Sequence, residues 1–193
     1  MDIISEYAFL IEIIGAVLSV IYLFFSIRKS IWLWPVGLLA SAFYIIVFFY
    51  SKLYAEMGLQ VYYIGVSIYG WYYWMFGKKE SQNVNLPVSK LDLKHSVYYS
   101  LAFVFFYSGL YFILKGFTDS PIPGWDSLAT ALSLVGTWML AKKILENWLV
   151  WIVADALCIG ISFYKGLYFT SGLFVIYTVM AFIGYLNWKK LQN

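Results

Sequence analysis

Trp148, Trp151 and Asp155 follow one another at the i, i+3, i+7 spacing that puts side chains on one face of a helix. They stand in the apolar stretch WLVWIVADALCIGISFY, with Asp155 close to its middle. An ionised carboxylate at mid-bilayer costs about 2.5–3.5 kcal/mol on insertion scales. An acid kept at that depth either meets a ligand or, protonated or hydrogen-bonded, ties helices together. A carboxylate in line with two indoles suits a flat ligand that is cationic or hydrogen-bonding, since indole faces attract cations by about 0.5–2 kcal/mol. The plainer reading of the tryptophans is an interfacial aromatic belt. That reading accounts for Trp148, for part of Trp151 and for nothing of Asp155.

A second stripe runs through Gln60, Tyr63, Ser67, Gly70-Trp71 and Trp74, again at helical spacing. Gln60 offers both a donor and an acceptor. Helix packing explains Tyr63 and Trp71 equally well, and a belt explains Trp74. Glu12, about a turn and a half into the first apolar stretch, either faces a ligand or reaches the interface. Other chemistries lack their residues. The single histidine, His95, is expected in a loop, and HxxxH, CxxC and clustered acids are missing from the apolar stretches, so no metal is expected. No stretch holds an interior lysine for a Schiff base, and no Gly-rich loop cradles a phosphate, so neither a cofactor nor ATP drive is expected. The lone Cys158 cannot form an internal disulfide.

The elements that carry these residues follow from composition. Of 193 residues 63% are hydrophobic and 12% charged, about half the charge of a soluble domain. Such a chain has no surface to offer water, whereas lipid accepts apolar side chains outside. Seven stretches near the ~20 residues a span requires occur at 8–27, 31–50, 57–76, 97–116, 125–141, 148–164 and 170–188. The fifth, short and carrying Thr130, Ser133 and Thr137, is the weakest. The start, MDIISEYAF, has no basic residue before Arg28, so the first stretch is expected to be a retained span and not a secretory signal. The polar linker 78–94 separates the two halves. A net charge of +3 is no nucleic-acid signature, and no nucleic-acid partner is expected. The basic residues instead gather at one side: ten (Arg28, Lys29, Lys78, Lys79, Lys90, Lys94, Lys142, Lys143, Lys189, Lys190) against three (Lys52, Lys115, Lys165). By the positive-inside rule the N-terminus is expected outside and the C-terminus inside.

A shift of 114 residues, without a gap, lays 12–74 on 126–188. Arg28-Lys29 falls on Lys142-Lys143, Trp34 on Trp148, Leu53-Tyr54 on Leu167-Tyr168, and Gly58, Tyr63, Gly70 and Trp74 on Gly172, Tyr177, Gly184 and Trp188. The expected architecture is all-α: a three-helix repeat in 1–77, a linker and linking span in 78–124, and a second, parallel repeat with a short tail in 125–193. Parallel repeats are related by an axis along the membrane normal, with a substrate site near the midplane between them. Ser41 takes the place of Asp155 in the first half, so the halves have diverged as one asymmetric ligand would require. Ser41, Thr137 and Tyr177 complete the candidate substrate-binding set.

These segments resemble the nicotinamide riboside transporter family, PnuC. The resemblance rests on the WxxWxxxN/D pattern at Trp148, Trp151 and Asp155, on Gly166-Leu167-Tyr168, and on Gln60, Tyr63, Tyr69-Gly70-Trp71 and Trp74. It implies a seven-span, 3+1+3 fold, a homotrimer in the bacterial inner membrane, and facilitated diffusion of an unphosphorylated vitamin that a cytoplasmic kinase then traps. It implies further that Trp148, Trp151 and Asp155 line the vitamin site, with Gln60, Tyr63 and Trp71 opposite. The family extends to thiamine carriers and riboflavin carriers, and some members have Asn where this chain has Asp155. A seven-span receptor or scaffold, or a membrane hydrolase, is the reading from another class. The former needs neither the duplication nor the midplane acid, and the latter lacks its catalytic constellation.

The charge count yields a direct test. A reporter fused after Asn193 is expected to be active only in the cytoplasm, and a tag before Asp2 to be reachable only from outside; both termini on one side would remove the seven-span arrangement.

Overall fold

In lipid every backbone N–H and C=O must be satisfied within the chain, and a helix does this segment by segment. The computed structural model follows that rule. It describes the backbone of residues 3–50, 54–77 and 87–190, and the side chains of 14–46, 57–77 and 87–190. Among the described residues there are seven helices: α1 (Ile3–Ile27), α2 (Leu33–Tyr50), α3 (Tyr54–Phe76), α4 (Leu93–Phe117), α5 (Pro123–Ala141), α6 (Asn147–Tyr164) and α7 (Tyr168–Lys189). Each expected span lies on one of them. The chain divides into two compact units, 1–86 and 87–193. In the first, α2 packs against both α1 and α3; in the second, α4 packs on α5, α5 on α6 and α6 on α7.

Among the described residues three helices, α4, α6 and α7, are long and apolar enough to cross a membrane by length and composition, and Ile14–Ile27 and Leu33–Ile46 are shorter apolar runs. The polar α5 has a physical reason to differ. Ten of its residues, from Ser127 to Ala141, are buried. A helix shielded by its neighbours does not need lipid-compatible side chains all round. By contrast α4 leaves Leu93, Leu101, Phe105, Phe112 and Phe117 largely exposed, as a lipid-facing helix does.

The two units repeat their local geometry at the positions that the 114-residue register pairs. Lys29 and Lys143 both take the left-handed conformation, with φ of 53° and 55°, a place usually given to glycine. Around them the same hydrogen bonds close the helix end. Lys29 N donates to Ser26 O (3.0 Å) and Ser30 N to Phe25 O (2.9 Å); Lys143 N donates to Leu140 O (2.9 Å) and Ile144 N to Met139 O (3.0 Å). Further along, Trp34 meets Trp74 edge-on at 5.4 Å, and Trp148 meets Trp188 at 5.4 Å. Trp34 sits on Gly70 and Trp148 on Gly184, both rings so close that a Cβ could not fit between. Each aromatic pair contributes about 0.5–1.5 kcal/mol beyond the area it buries.

The linker does not end as a free loop. Ser89 forms an isolated parallel bridge with Ile144: its N–H donates to Lys143 O (3.0 Å) and its carbonyl accepts from Leu145 N (2.9 Å). Leu91 N donates to a Glu146 carboxylate oxygen (2.9 Å). Beneath this stitch Tyr99, Val135, Met139 and Ile144 form a core, with Leu91, Phe103, Trp138 and Val150 against it. Asp92 caps α4 by accepting from His95 N at 2.7 Å. The His95 amide, and then its ring, hold the Asp92 carboxyl below the usual carboxylate range. His95, expected in a loop, thus belongs to the first turn of α4: the cap starts the helix earlier than hydropathy alone suggests.

The tryptophan seat has a measurable cost if it is filled. A Cβ at residue 184 would stand 2.7 Å from three Trp148 ring atoms, whereas one at Gly172 meets nothing within 4 Å. Gly184→Ala is expected to destabilise the purified protein by about 1–3 kcal/mol, the usual cost of overpacking, and Gly172→Ala to leave thermal unfolding unchanged or raised.

Candidate substrate site

The second unit places the acid first. On α6 the buried residues are Asn147, Trp148, Ala154, Asp155 and Ser162. Leu149, Val153, Phe163 and Tyr164 are exposed. Asp155 therefore faces protein, not lipid, and is only 5% exposed. Among the described residues no ion pair or hydrogen bond reaches its carboxylate; the two ion pairs present are His95–Asp92 and Lys165–Asp126. A buried carboxyl group is stable only when paired, hydrogen-bonded or protonated.

Trp151 is half-buried one turn before Asp155. Its indole lies across α5 at Gly136, where a Cβ would come within 3.2 Å of Nε1 and 3.3 Å of Cε2. Trp148 is 1% exposed and wedged onto Gly184 and Trp188. Its Nε1 is buried and has no acceptor among the described residues. Trp148 thus lies in the α6–α7 seam, while Trp151 lies toward α5. Thr137 is buried in α5, and its hydroxyl donates to Ser133 O at 2.7 Å, which uses up its one donor. Tyr177, on α7, is half-buried and packs edge-on to Phe174 at 5.7 Å. At the far end of α6 Lys165 Nζ grips both Asp126 oxygens, at 2.8 and 2.9 Å, and Ser120 Oγ donates to the same carboxylate at 2.6 Å. These contacts clamp the start of α5 to the end of α6.

The first unit gathers the other candidates around α2. Ser41 and Ser67 are buried, at 6% and 5% exposure. Ser67 approaches α2 at Gly37, where a Cβ would lie 3.2 Å from its Oγ. Tyr22 of α1 reaches the same glycine, with a ring carbon 3.1 Å from that Cβ position. Tyr63 is half-buried, edge-on to Tyr62 at 5.7 Å, and Gln60 is half-buried nearby on α3. The expected stripe on α3 divides. Ser67 and Trp74 are buried, Gln60 and Tyr63 intermediate, and Trp71 is 37% exposed beside the exposed Ile68 and Tyr72. Glu12 lies outside the described side chains. Two residues that sequence reasoning missed enter here: Tyr22, which meets Gly37 with Ser67, and Gly136, which seats Trp151. A signal for both was present, because the register pairs Tyr22 with Gly136 and Gly37 with Trp151.

Among the described residues no group of three or more His, Cys, Asp and Glu side chains is placed to hold a metal. The second unit holds a buried acid, Asp155, with the half-buried Trp151 indole one turn before it on the same helix; the first unit separately buries Ser41 and Ser67.

Known proteins share this arrangement of helices. The nicotinamide riboside transporter PnuC of Escherichia coli is 27% identical over 203 residues, covering 92% of this chain and 84% of its own. The riboflavin/roseoflavin transporter RibM of Streptomyces davaonensis is 27% identical over 184 residues, covering 92% of this chain and 83% of its own. The crystal structure of the vitamin B3 transporter PnuC has the same fold, with a TM-score of 0.73 at 22% identity over 97% of this chain and 85% of that one. With the nicotinamide mononucleotide transporter family matching residues 9–190, nearly every helix described above, the chain belongs to that family of PnuC-type membrane transporters, and it is not an enzyme.

Proposed function

We propose that the protein carries an unphosphorylated B-vitamin across the bacterial inner membrane by facilitated diffusion, with nicotinamide riboside as the first choice of substrate. The observation that carries this reading is Asp155, buried on the protein-facing side of α6 without a partner among the described residues, with Trp151 one turn away. Nicotinamide riboside is a flat, fixed aromatic cation. A carboxylate and an indole face are the two groups that recognise such a ring. Thiamine carries the same kind of charge and is the close alternative. Similarity to RibM supports a third substrate, riboflavin, which is neutral and would use Asp155 as a hydrogen-bonding partner. In this reading Trp148, Trp151, Asp155, Thr137 and Tyr177 serve the site from one repeat, and Ser41, Gln60, Tyr63, Ser67 and Trp71 from the other. The repeats are parallel in a 3+1+3 order, the N-terminus is outside and the C-terminus cytoplasmic. The working form is a homotrimer, and a cytoplasmic kinase traps the vitamin by phosphorylating it.

Asp155 separates the substrates. Loss of a hydrogen bond to a charged group costs about 1.5–3 kcal/mol. Asp155→Ala is therefore expected to weaken vitamin binding roughly 10- to 150-fold in calorimetric titration, with the protein still folded. Asp155→Asn keeps the shape and removes the charge. For nicotinamide riboside or thiamine it should bind much more weakly than wild type, and for riboflavin nearly as well. Unchanged affinity of folded Asp155→Ala for all three would remove this site.

Uptake into proteoliposomes tests the drive. Free vitamin is expected to equilibrate across the bilayer and no further, without sodium, a proton gradient or ATP. Accumulation against a gradient under an imposed ion gradient would contradict facilitated diffusion.

A further inference from the structure

Both units seat an aromatic ring on a glycine between two consecutive helices, α1 and α2 in the first and α5 and α6 in the second, but ring and glycine have changed places. In the first unit the ring is Tyr22 on α1 and the glycine is Gly37 on α2. In the second the glycine is Gly136 on α5 and the ring is Trp151 on α6. The register pairs Tyr22 with Gly136 and Gly37 with Trp151, so this is one contact with its two sides exchanged.

The exchange has a chemical effect. In the first unit the ring stands on a different helix from Ser41, the counterpart of the acid. In the second, Trp151 and Asp155 are on the same helix, four residues apart, and hence on one face. Ring and carboxylate there are carried by one helix. What sets the ring's position is the opposing helix: its indole Nε1 and Cε2 lie 3.2 and 3.3 Å from where a residue-136 Cβ would stand, and Val150 Cγ1 closes the space at 3.4 Å. A Cβ at 136 fits only if the indole gives by a few tenths of an ångström, and a larger side chain needs more.

We propose that Gly136 is a positioning residue of the transporter: by leaving room on α5 it holds the Trp151 indole in place beside Asp155, so that the two present a flat ligand with a ring face and an acid together. The inference rests on the reading of Trp151 and Asp155 as substrate-binding. It assigns Gly136 no contact with the ligand.

A double-mutant cycle tests it. Nicotinamide riboside, thiamine and riboflavin are titrated in turn into the detergent-purified full chain, and the vitamin that wild type binds is carried through. Gly136→Ala is expected to raise Kd by about 3-fold or more, and Gly136→Val by about 10-fold or more, within the range of coupling between touching residues. In a Trp151→Ala background the same substitutions should change Kd less than about 2-fold, the scatter of independent sites. Gly160→Ala, where a Cβ meets nothing within 4 Å, controls for the helix-favouring effect of alanine and should leave Kd unchanged. Gly136 effects of equal size with and without the Trp151 indole would overturn the proposal, since glycine would then act on packing alone. Unchanged Kd in Trp151→Ala itself, or no binding of any of the three vitamins by wild type, would remove the underlying site reading and this inference with it. That result is distinct from equal effects in the two backgrounds.

Discussion

A large ring cannot approach a helix axis past a Cβ, and this limit organises both halves of the protein. Trp34 and Trp148 reach the backbone of the neighbouring helix only because Gly70 and Gly184 leave the space. The seat is made from an aromatic and a glycine because lipid supplies no hydrophobic force between helices, so close packing must supply the cohesion. Once a ring is seated, it fixes the rotation of its helix. On α6 the fully buried Trp148 turns Asp155 away from lipid, and Val153 outward. An acid at this depth would be costly on the other face. The seam comes first and the site is placed by it.

The two seams are nearly identical, and what lies beyond them is not. Ser41 and Asp155 occupy equivalent positions and are both buried, yet one is a neutral hydroxyl and the other a carboxyl. The aromatic rings Tyr22 and Trp151 sit on opposite sides of the equivalent glycine contact. The two units thus share the contacts that hold their helices together and differ at Ser41 and Asp155. Such divergence fits a single asymmetric molecule better than two copies of a symmetric one.

Much of this was legible in the sequence because lipid makes hydropathy a strong signal. The helix ends were legible to within a few residues, and where they shifted the cause was local. Asp92 caps α4 and draws His95 into its first turn. The 114-residue register, read from Trp34, Gly70 and Trp74 against Trp148, Gly184 and Trp188, pairs residues that make the same local contacts in the two units. What spacing could not separate was the job of each aromatic. Trp148 and Trp151 look alike at i and i+3, but one is wedged on Gly184 and the other lies against Gly136. Which of two neighbouring faces a ring enters depends on small residues of other helices, and those carry no periodic signal of their own. The fifth span, the weakest by composition, is α5, which is not among the helices apolar enough to span by themselves and which buries ten of its residues.

The bridge between Ser89 and the α5–α6 turn has a consequence for biosynthesis. Ser89 and Leu91 pair with groups 54 and 55 residues further along the chain. At a synthesis rate of 5–20 residues per second, roughly 3–10 s pass between the emergence of the linker and that of its partners. During that interval three helices have already been delivered to the membrane, while the segment joining them to the rest has nothing to dock on. The stitch at Lys143 and Leu145 can form only once α5 has been made, and it docks the linker before α6 and α7 follow.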